Sequence, residues 1–397
     1  MTPLHLSAYT ACTCLGRGLL PHRQAIADGR SGLQPCAFET VSLATYIGEV
    51  SGVDEVALRH DLKNFDCRNN RLAQMALQTD GFDDTVQAAI RRYGRQRVGV
   101  FLGTSTAGIL QTELAYRRRD PLTGALPPDF IYRSTHNAFS VADFVHQYFG
   151  LSGPAVVVST ACSSSAKVFA SAQRMMACGF IDAAIVGGVD SLCLTTLYGF
   201  NSLELTSDEP CRPYDAERKG ISIGEGAAFI LLERPPESLD ASAALLLGVG
   251  ESSDAYHMSS PHPEGRGARQ AMVAALAAAR LTAEDVDYIN LHGTATHNND
   301  AAEGRAVAAL FGERTPCSST KGATGHTLGA AGAVEAILCV QAMATGIVPG
   351  SVHTRHLAPE FRLDYVLVPR AQALACVMNN SFGFGGSNCS LLLGRAA

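Results

Sequence analysis

Residues 156–169 read VVVSTACSSSAKVF, a run of valines that breaks into small residues around one cysteine. Valines in a short uninterrupted run suit a strand buried on both faces, and the alanines, serines and apolar residues after them suit a helix through residue 177. Cys162 therefore falls where strand gives way to helix. A thiol in the first turn of a helix meets the positive end of the macrodipole and unpaired N–H groups, which favour thiolate. This predicts a nucleophilic Cys162 with a lowered pKa. Ser163, Ser164 and Ser165 are expected to cap the first turn instead of competing as nucleophiles.

Similar strand-then-helix units recur along the chain. Strands are predicted at 97–102, 155–158, 183–186, 228–232, 288–291 and 390–393, with helices at 70–76, 162–177, 268–279, 300–310 and 328–343. Alternation of this kind is a layered α/β architecture. The best seam is Arg234-Pro235-Pro236-Glu237, giving halves 1–236 and 237–397. A strand feeding Cys162 and a helix of small residues in the first half is echoed by CSST (317–320) feeding KGATGH (321–326) and another such helix. The outline suggests an internal duplication.

Composition narrows the class. The 397 residues are 47% hydrophobic and 17% charged, with 38 glycines and no tryptophan, enough for one large core or two mid-sized ones. The formal charge of -6 and the single basic triplet Arg117-Arg118-Arg119 give no footprint for nucleic acid. Twelve cysteines without C-x-x-C pairs predict a reduced, cytoplasmic protein. The first twenty residues carry no leader pattern and no window looks long enough to span a membrane, so the chain is expected in solution.

Two further clusters carry chemistry. NLHGTAT (290–296) follows a strand and TKGATGHTLGAAG (320–332) precedes a helix, each placing a histidine, His292 or His326, among glycines. Paired histidines with a helix-start cysteine point to a shared site. His292, His297, Asp300 and Glu303 have metal-ligand residue types but not the spacing of a metal site. NNSFGFGGSN (379–388) reads as a glycine-rich turn before the final strand. It lacks a phosphate-loop signature, and its amides suit an oxyanion.

In family order, these motifs resemble the β-ketoacyl-[acyl-carrier-protein] synthases, the condensing enzymes of fatty-acid and polyketide assembly. The resemblance spans nearly the whole chain: GVFLGT (99–104), STACSS (159–164), RPYD (212–215), GEG (224–226), DAYHMSSP (254–261), both histidine motifs and NSFGFGG (380–386). It implies a thiolase-type fold of five αβαβα layers built from two pseudo-repeated halves, usually a homodimer. A heterodimer with a homologous chain is also open.

The resemblance further implies that Cys162 accepts an acyl chain from the phosphopantetheine thiol of an acyl carrier protein, while His292 and His326 serve malonyl-carrier protein in a decarboxylative condensation. No metal or redox cofactor is implied. Lys321 matches a residue ion-paired with one matching Glu335. Thr294 and Thr296 match residues bonding the pantetheine arm, Ser260 one near its phosphate, and Phe384 a gate whose N–H joins that of Cys162 at the oxyanion. Phe382 lies in the same loop, and Glu303 matches an acidic residue near the histidines. Two departures stand out. Arg218-Lys219-Gly220-Ile221 replaces Arg-Asp-Gly-Phe, and Thr106 stands where a bulky aliphatic residue often lines the acyl pocket. The second suggests a polar or unsaturated chain, such as a polyene or aryl polyene. Alternatives are a non-condensing partner subunit, a coenzyme A thiolase and an unrelated Cys-His hydrolase.

Overall fold

The computed structural model describes residues 1–396. Strands β1 (Leu4–Thr13), β2 (Val98–Gly103), β3 (Ala155–Val158), β4 (Ala183–Asp190) and β5 (Gly226–Glu233) belong to the first half. Strands β6 (Ala244–Ser253), β7 (Tyr288–Asn290), β8 (Cys317–Ser318), β9 (Cys376–Gly383) and β10 (Ser387–Arg395) belong to the second. The sheet order is β8-β7-β9-β10-β6-β1-β5-β4-β2-β3.

Each half repeats one pattern. β2 runs parallel to β3 and β4, β5 pairs antiparallel with β4, and β1 pairs antiparallel with β5. β7 runs parallel to β8 and β9, β10 pairs antiparallel with β9, and β6 pairs antiparallel with β10. Counted from the start of its own half, each sheet has the order 3-2-4-5-1, which shows the duplication directly. The sheets join edge to edge where Leu4 faces Leu246 and His5 faces Leu245.

Helices complete five layers. α1 (Arg68–Leu77), α2 (Phe82–Tyr93) and α3 (Ser140–Phe149) cover the first sheet, with Leu72, Val86 and Phe144 in one core with Val100, Ile185 and Phe229. α5 (Arg266–Ala279) and α6 (His297–Phe311) cover the second with Met272, Ala275 and Val307 against Ile289 and Met378. Between the sheets lie α4 (Ser164–Ala177) and α7 (Ala331–Thr345), whose Ala166, Phe169, Ile337 and Leu338 share one core with both sheets.

Apart from Glu335 and Gln341, α7 is apolar on every side because both its flanks are buried. The 18 residues Leu328–Thr345 have a mean hydropathy of 1.5, yet 89% of them are buried inside the protein, so this membrane-like stretch is a core helix. At Gly332 a Cβ would lie 2.7 Å from the backbone N of Ala166, so α4 and α7 meet nearly backbone to backbone. The small residues of both helices serve that approach.

Candidate active site

Cys162 sits at the end of a tight turn. β3 ends at Val158, Ala161 takes a left-handed φ of 52°, and α4 begins at Ser164, so the thiol precedes the helix by two residues. A Cβ on Gly103 would lie 2.3 Å from the N of Ser165, so only glycine lets the end of β2 support this turn. The serines do not cap the helix as the sequence suggested. Ser163 Oγ donates to the carbonyl of Thr160 (2.9 Å), and Ser164 Oγ donates to that of Ala161 and accepts the Thr160 N–H (2.5 and 2.9 Å). Ser165 Oγ accepts the N–H of Ala333 from α7 (3.0 Å). Their short side chains satisfy the strained turn, and of these four residues Cys162 is the one that lines the cavity.

Both histidines reach the sulfur from the second half. His326 Nε2 is 3.0 Å from Cys162 Sγ, and the His292 and His326 ring centroids are 5.3 Å apart at 82°. Their backbones explain the aim. His292 follows β7, while His326 lies between the short helix Lys321–Thr324 and the turn Leu328–Ala330. Lys321 Nζ lies 3.4 Å from His292 Nδ1, and the Leu328 N–H donates to His326 Nδ1 (3.2 Å). An ammonium and an amide N–H have only protons to offer, so both Nδ1 atoms accept and both neutral rings carry their proton on Nε2. Burial, then Lys321, then the neighbouring His326 hold His292 well below the usual imidazole range. Burial and Lys321 do the same for His326. Two neutral Nε2–H donors thus face one point.

The thiol contradicts the helix-dipole expectation. Burial pushes Cys162 up to about 11, against the pull of Lys321 and of the Phe384 backbone N–H that bonds the sulfur. Desolvation of the anion outweighs the dipole because Cys162, His292 and His326 are all buried.

A buried frame holds these groups. Lys321 Nζ donates to Glu335 Oε1, and burial keeps the Glu335 carboxyl at about 7 despite that cation. Glu303 acquires a definite part: its carboxylate accepts the N–H groups of His292 (2.7 Å) and Gly293 (2.8 Å), the Tyr214 hydroxyl and Asn380 Nδ2. Burial raises Glu303 to about 7 as well. Asp300 accepts the N–H groups of Tyr214 and Thr294, with Arg218 Nε 3.7 Å away. Sequence reasoning gave no part to Tyr214 or Asn380. RPYD and NNSF held both in view, but nothing local shows that they converge on Glu303.

The cavity beside Cys162 measures about 440 Å³. Cys162, His292, His326, Phe382 and Phe384 line it, as do Ser260, Thr294 and Thr296. Thr294 and Thr296 share a hydroxyl contact of 2.9 Å. Phe384 opens the short turn Phe384–Gly386, and a Cβ on Gly383 would lie 2.7 Å from the Thr160 carbonyl, so the turn docks on the cysteine loop. The turn is shorter than predicted, since β9 runs through Gly383. Phe200, missed from sequence, packs against Phe384 with ring centroids 5.7 Å apart and planes tilted by 42°, and Leu203, Leu205 and Ile221 add apolar wall.

Thr106 is not on this wall. Its hydroxyl donates to Asp190 Oδ1 (2.9 Å) and accepts the Ser191 N–H (3.1 Å), so the inference of a polar or unsaturated chain from Thr106 loses its ground. A carboxylate out of sequence view draws the hydroxyl inward. At the other departure, Lys219 pairs at the surface with Asp208 and Glu209 (3.1 and 2.9 Å).

Metal binding finds poor support in the donors. His297, Asp300 and Glu303 do not gather with His292 around one point, because both carboxylates are spent on backbone N–H groups. Cys162, His292 and His326 do gather, with ligand atoms within 4.8 Å of one another. A metal there needs lone pairs on both Nε2 atoms, which means moving the protons to Nδ1 against Lys321 and the Leu328 N–H.

Comparisons with known proteins agree with this geometry. The β-ketoacyl synthase N-terminal domain matches residues 22–238 and the C-terminal domain residues 243–355. The chain is 34% identical to 3-oxoacyl-[acyl-carrier-protein] synthase 2 of Coxiella burnetii, covering 96% of this chain and 95% of that one. It is 37% identical to nodulation protein E of Rhizobium meliloti over 74% of this chain and 75% of that one. Among solved structures it resembles the ketosynthase ApeO in complex with its chain length factor ApeC from Xenorhabdus doucetiae, at TM-score 0.91 and 37% identity, covering 100% and 98% of the two chains. It also resembles the ishigamide ketosynthase/chain length factor, at TM-score 0.89 and 25% identity with both chains fully covered. Fold, cavity and comparisons together place this chain in the β-ketoacyl synthase family, as an acyltransferase of the 3-oxoacyl-[acyl-carrier-protein] synthase kind.

Proposed function

We propose that Cys162 takes an acyl group from the phosphopantetheine thioester of an acyl carrier protein and condenses it with malonyl-carrier protein. The carrying observation is the convergence of the Cys162 sulfur with the His292 and His326 rings at one cavity. Acyl transfer passes through a tetrahedral oxyanion, for which the N–H groups of Cys162 and Phe384 are the donors. The proton lost by Sγ ends on the departing pantetheine thiol, so transfer needs no net base. In the second stage the carboxylate–Cα bond of the malonyl thioester breaks, CO2 leaves, and the electron pair moves onto the thioester oxygen. His292 and His326 donate to that oxygen, binding the enolate more strongly than the ground state. Its carbon attacks the acyl carbonyl, the C–S bond to Cys162 breaks, the expelled sulfur takes a proton from solvent to regenerate the thiol, and the β-ketoacyl chain stays on the carrier.

Phe382 and Phe384 keep water from the departing carboxylate. Ser260, Thr294 and Thr296 suit the polar pantetheine arm, and the phosphopantetheine of the partner carrier is the only prosthetic group the reaction calls on. Lys321, Glu335 and Glu303 hold the rings in place. The apolar wall of Phe200, Leu203, Leu205 and Ile221 suits a hydrocarbon chain.

A second reading concerns assembly. The named ketosynthase/chain length factor structures support a pairing with a homologous chain, in which this chain, with Cys162, His292 and His326 all present, is the condensing subunit. Mass spectrometry after incubation with acyl-carrier protein tests the main reading. Wild type should gain one acyl group on Cys162 and lose it as β-ketoacyl product when malonyl-carrier protein is added. A Cys162→Ala variant that still forms this product would overturn the proposal.

A further inference from the structure

Asp190 is fully buried at the end of β4, away from the cavity wall, and takes part in neither stage above. Its Oδ1 accepts the Thr104 hydroxyl (2.7 Å), the N–H groups of Ser105 and Thr106 (2.8 and 2.9 Å) and the Thr106 hydroxyl (2.9 Å). Its Oδ2 accepts the Ser105 hydroxyl and the N–H of Gly329 (2.6 Å). All these partners except Gly329 lie in the first half. The Gly329 bond crosses to the turn that follows His326.

That turn is strained. Leu328 holds a φ of 51°, a left-handed conformation that a leucine adopts only under constraint. A Cβ on Gly329 would lie 2.8 Å from Asp190 Oδ2 and 2.8 Å from the Ser105 N, so the turn is pressed onto the carboxylate. The strained residue supplies the N–H that His326 Nδ1 accepts. This chain of contacts runs from Asp190 to Gly329, to Leu328, to the imidazole and to the sulfur.

We propose that Asp190, braced by Thr104, Ser105 and Thr106, is a positioning residue that fixes His326 in its Nε2–H form by pinning the Leu328 turn. The inference rests on the condensing reaction proposed above and assigns Thr106 a place in it as a strut, in contrast to a pocket-lining role. Replacing one carboxylate oxygen by an amide sets an NH2 against the Gly329 N–H, the Ser105 hydroxyl or the Oδ1 donors. The turn then relaxes, Nδ1 loses its donor, and the proton is free to occupy either nitrogen.

Nitrogen NMR of histidine-labelled protein reads the tautomer, with His326 assigned by its absence in His326→Gln. Wild type should show a bare Nδ1 and a protonated Nε2, and Asp190→Asn a mixture. Decarboxylation of malonyl-carrier protein should fall on the order of 10- to 100-fold, by analogy with the loss when the hydrogen-bond partner that orients a metal-bound histidine is removed. Acylation of Cys162 should change by less than about 3-fold, because that step depends on the Phe384 and Cys162 amides. Thr106→Val keeps the volume and removes one brace, so it should shift the same signals in the same sense but less. If Asp190→Asn fails to fold, Thr106→Val decides alone.

An unaltered Nε2–H tautomer in the folded variant tested overturns the proposal, as does an equal loss of acylation and decarboxylation. Absence of decarboxylation in wild type would instead defeat the condensing reading, while the tautomer measurement would still judge the strut.

Discussion

Cys162 shows where local pattern and buried environment part company. The strand-to-helix junction was legible as VVVSTAC, and so was the meeting of Cys162 with His292 and His326 in one site. The direction of the cysteine's pKa was not, because desolvation depends on segments more than a hundred residues away. With the thiol pushed up to about 11, alkylation of Cys162 by iodoacetamide should keep accelerating with pH through 9 and towards 11. A plateau below pH 8 would mean that the dipole wins over burial. Lys321 and Glu335 make a second case: the sequence offers two charged residues in apolar surroundings, and the structure buries both. Lys321→Met leaves Glu335 without its partner. The cost should be on the order of 3 to 5 kcal/mol in urea unfolding, reduced where the carboxyl takes up a proton, and an unchanged midpoint would contradict the pairing. Thr106 was misread for the reason that spoiled the thiol prediction, since nothing near it in sequence announces Asp190.

Elements were easier to read than their ends. Strand 155–158 matches β3, and 268–279 falls inside α5, because apolar runs and small-residue helical patterns are local signals. The second half of β9 reads as part of a turn because of the glycines that follow it, and Asn379, Asn380 and Ser381 are themselves poor strand formers. Tertiary partners override that preference: Asn379 Nδ2 donates to the Gly332 carbonyl and Asn380 Nδ2 to Glu303. The short β8 had no strand-length pattern to find. Contact between α4 and α7 carries this scale's prediction. Gly332→Ala places a methyl against the Ala166 backbone, so stability should fall by about 1 to 3 kcal/mol. Condensation should fall too, because α4 follows Cys162 and α7 follows His326. A variant equal to wild type in thermal midpoint and turnover would show that the helices have room to spare.

Duplication is a property of the whole molecule, and the sequence showed only its outline. The repeated 3-2-4-5-1 order rests on β-pairings between distant segments, which no local motif records. The boundary placed at 236/237 lies in the connection between β5 and β6. Geometry makes the halves interdependent, since Ala166 and Phe169 from one half and Ile337 and Leu338 from the other form one core. Residues 1–236 made alone should therefore lack a cooperative thermal transition. A fragment with native-like near-ultraviolet dichroism would contradict that shared core.

The same interlock delivers a sulfur from one half to two imidazoles from the other, and a crystal structure of the acylated enzyme tests this most directly. The acyl group should sit on Cys162 with its carbonyl oxygen within hydrogen-bond distance of the Cys162 and Phe384 amides, leaving both Nε2–H groups free for the second substrate. An acyl group on another residue, or a carbonyl oxygen held by the two histidines with the amides unoccupied, would contradict the account.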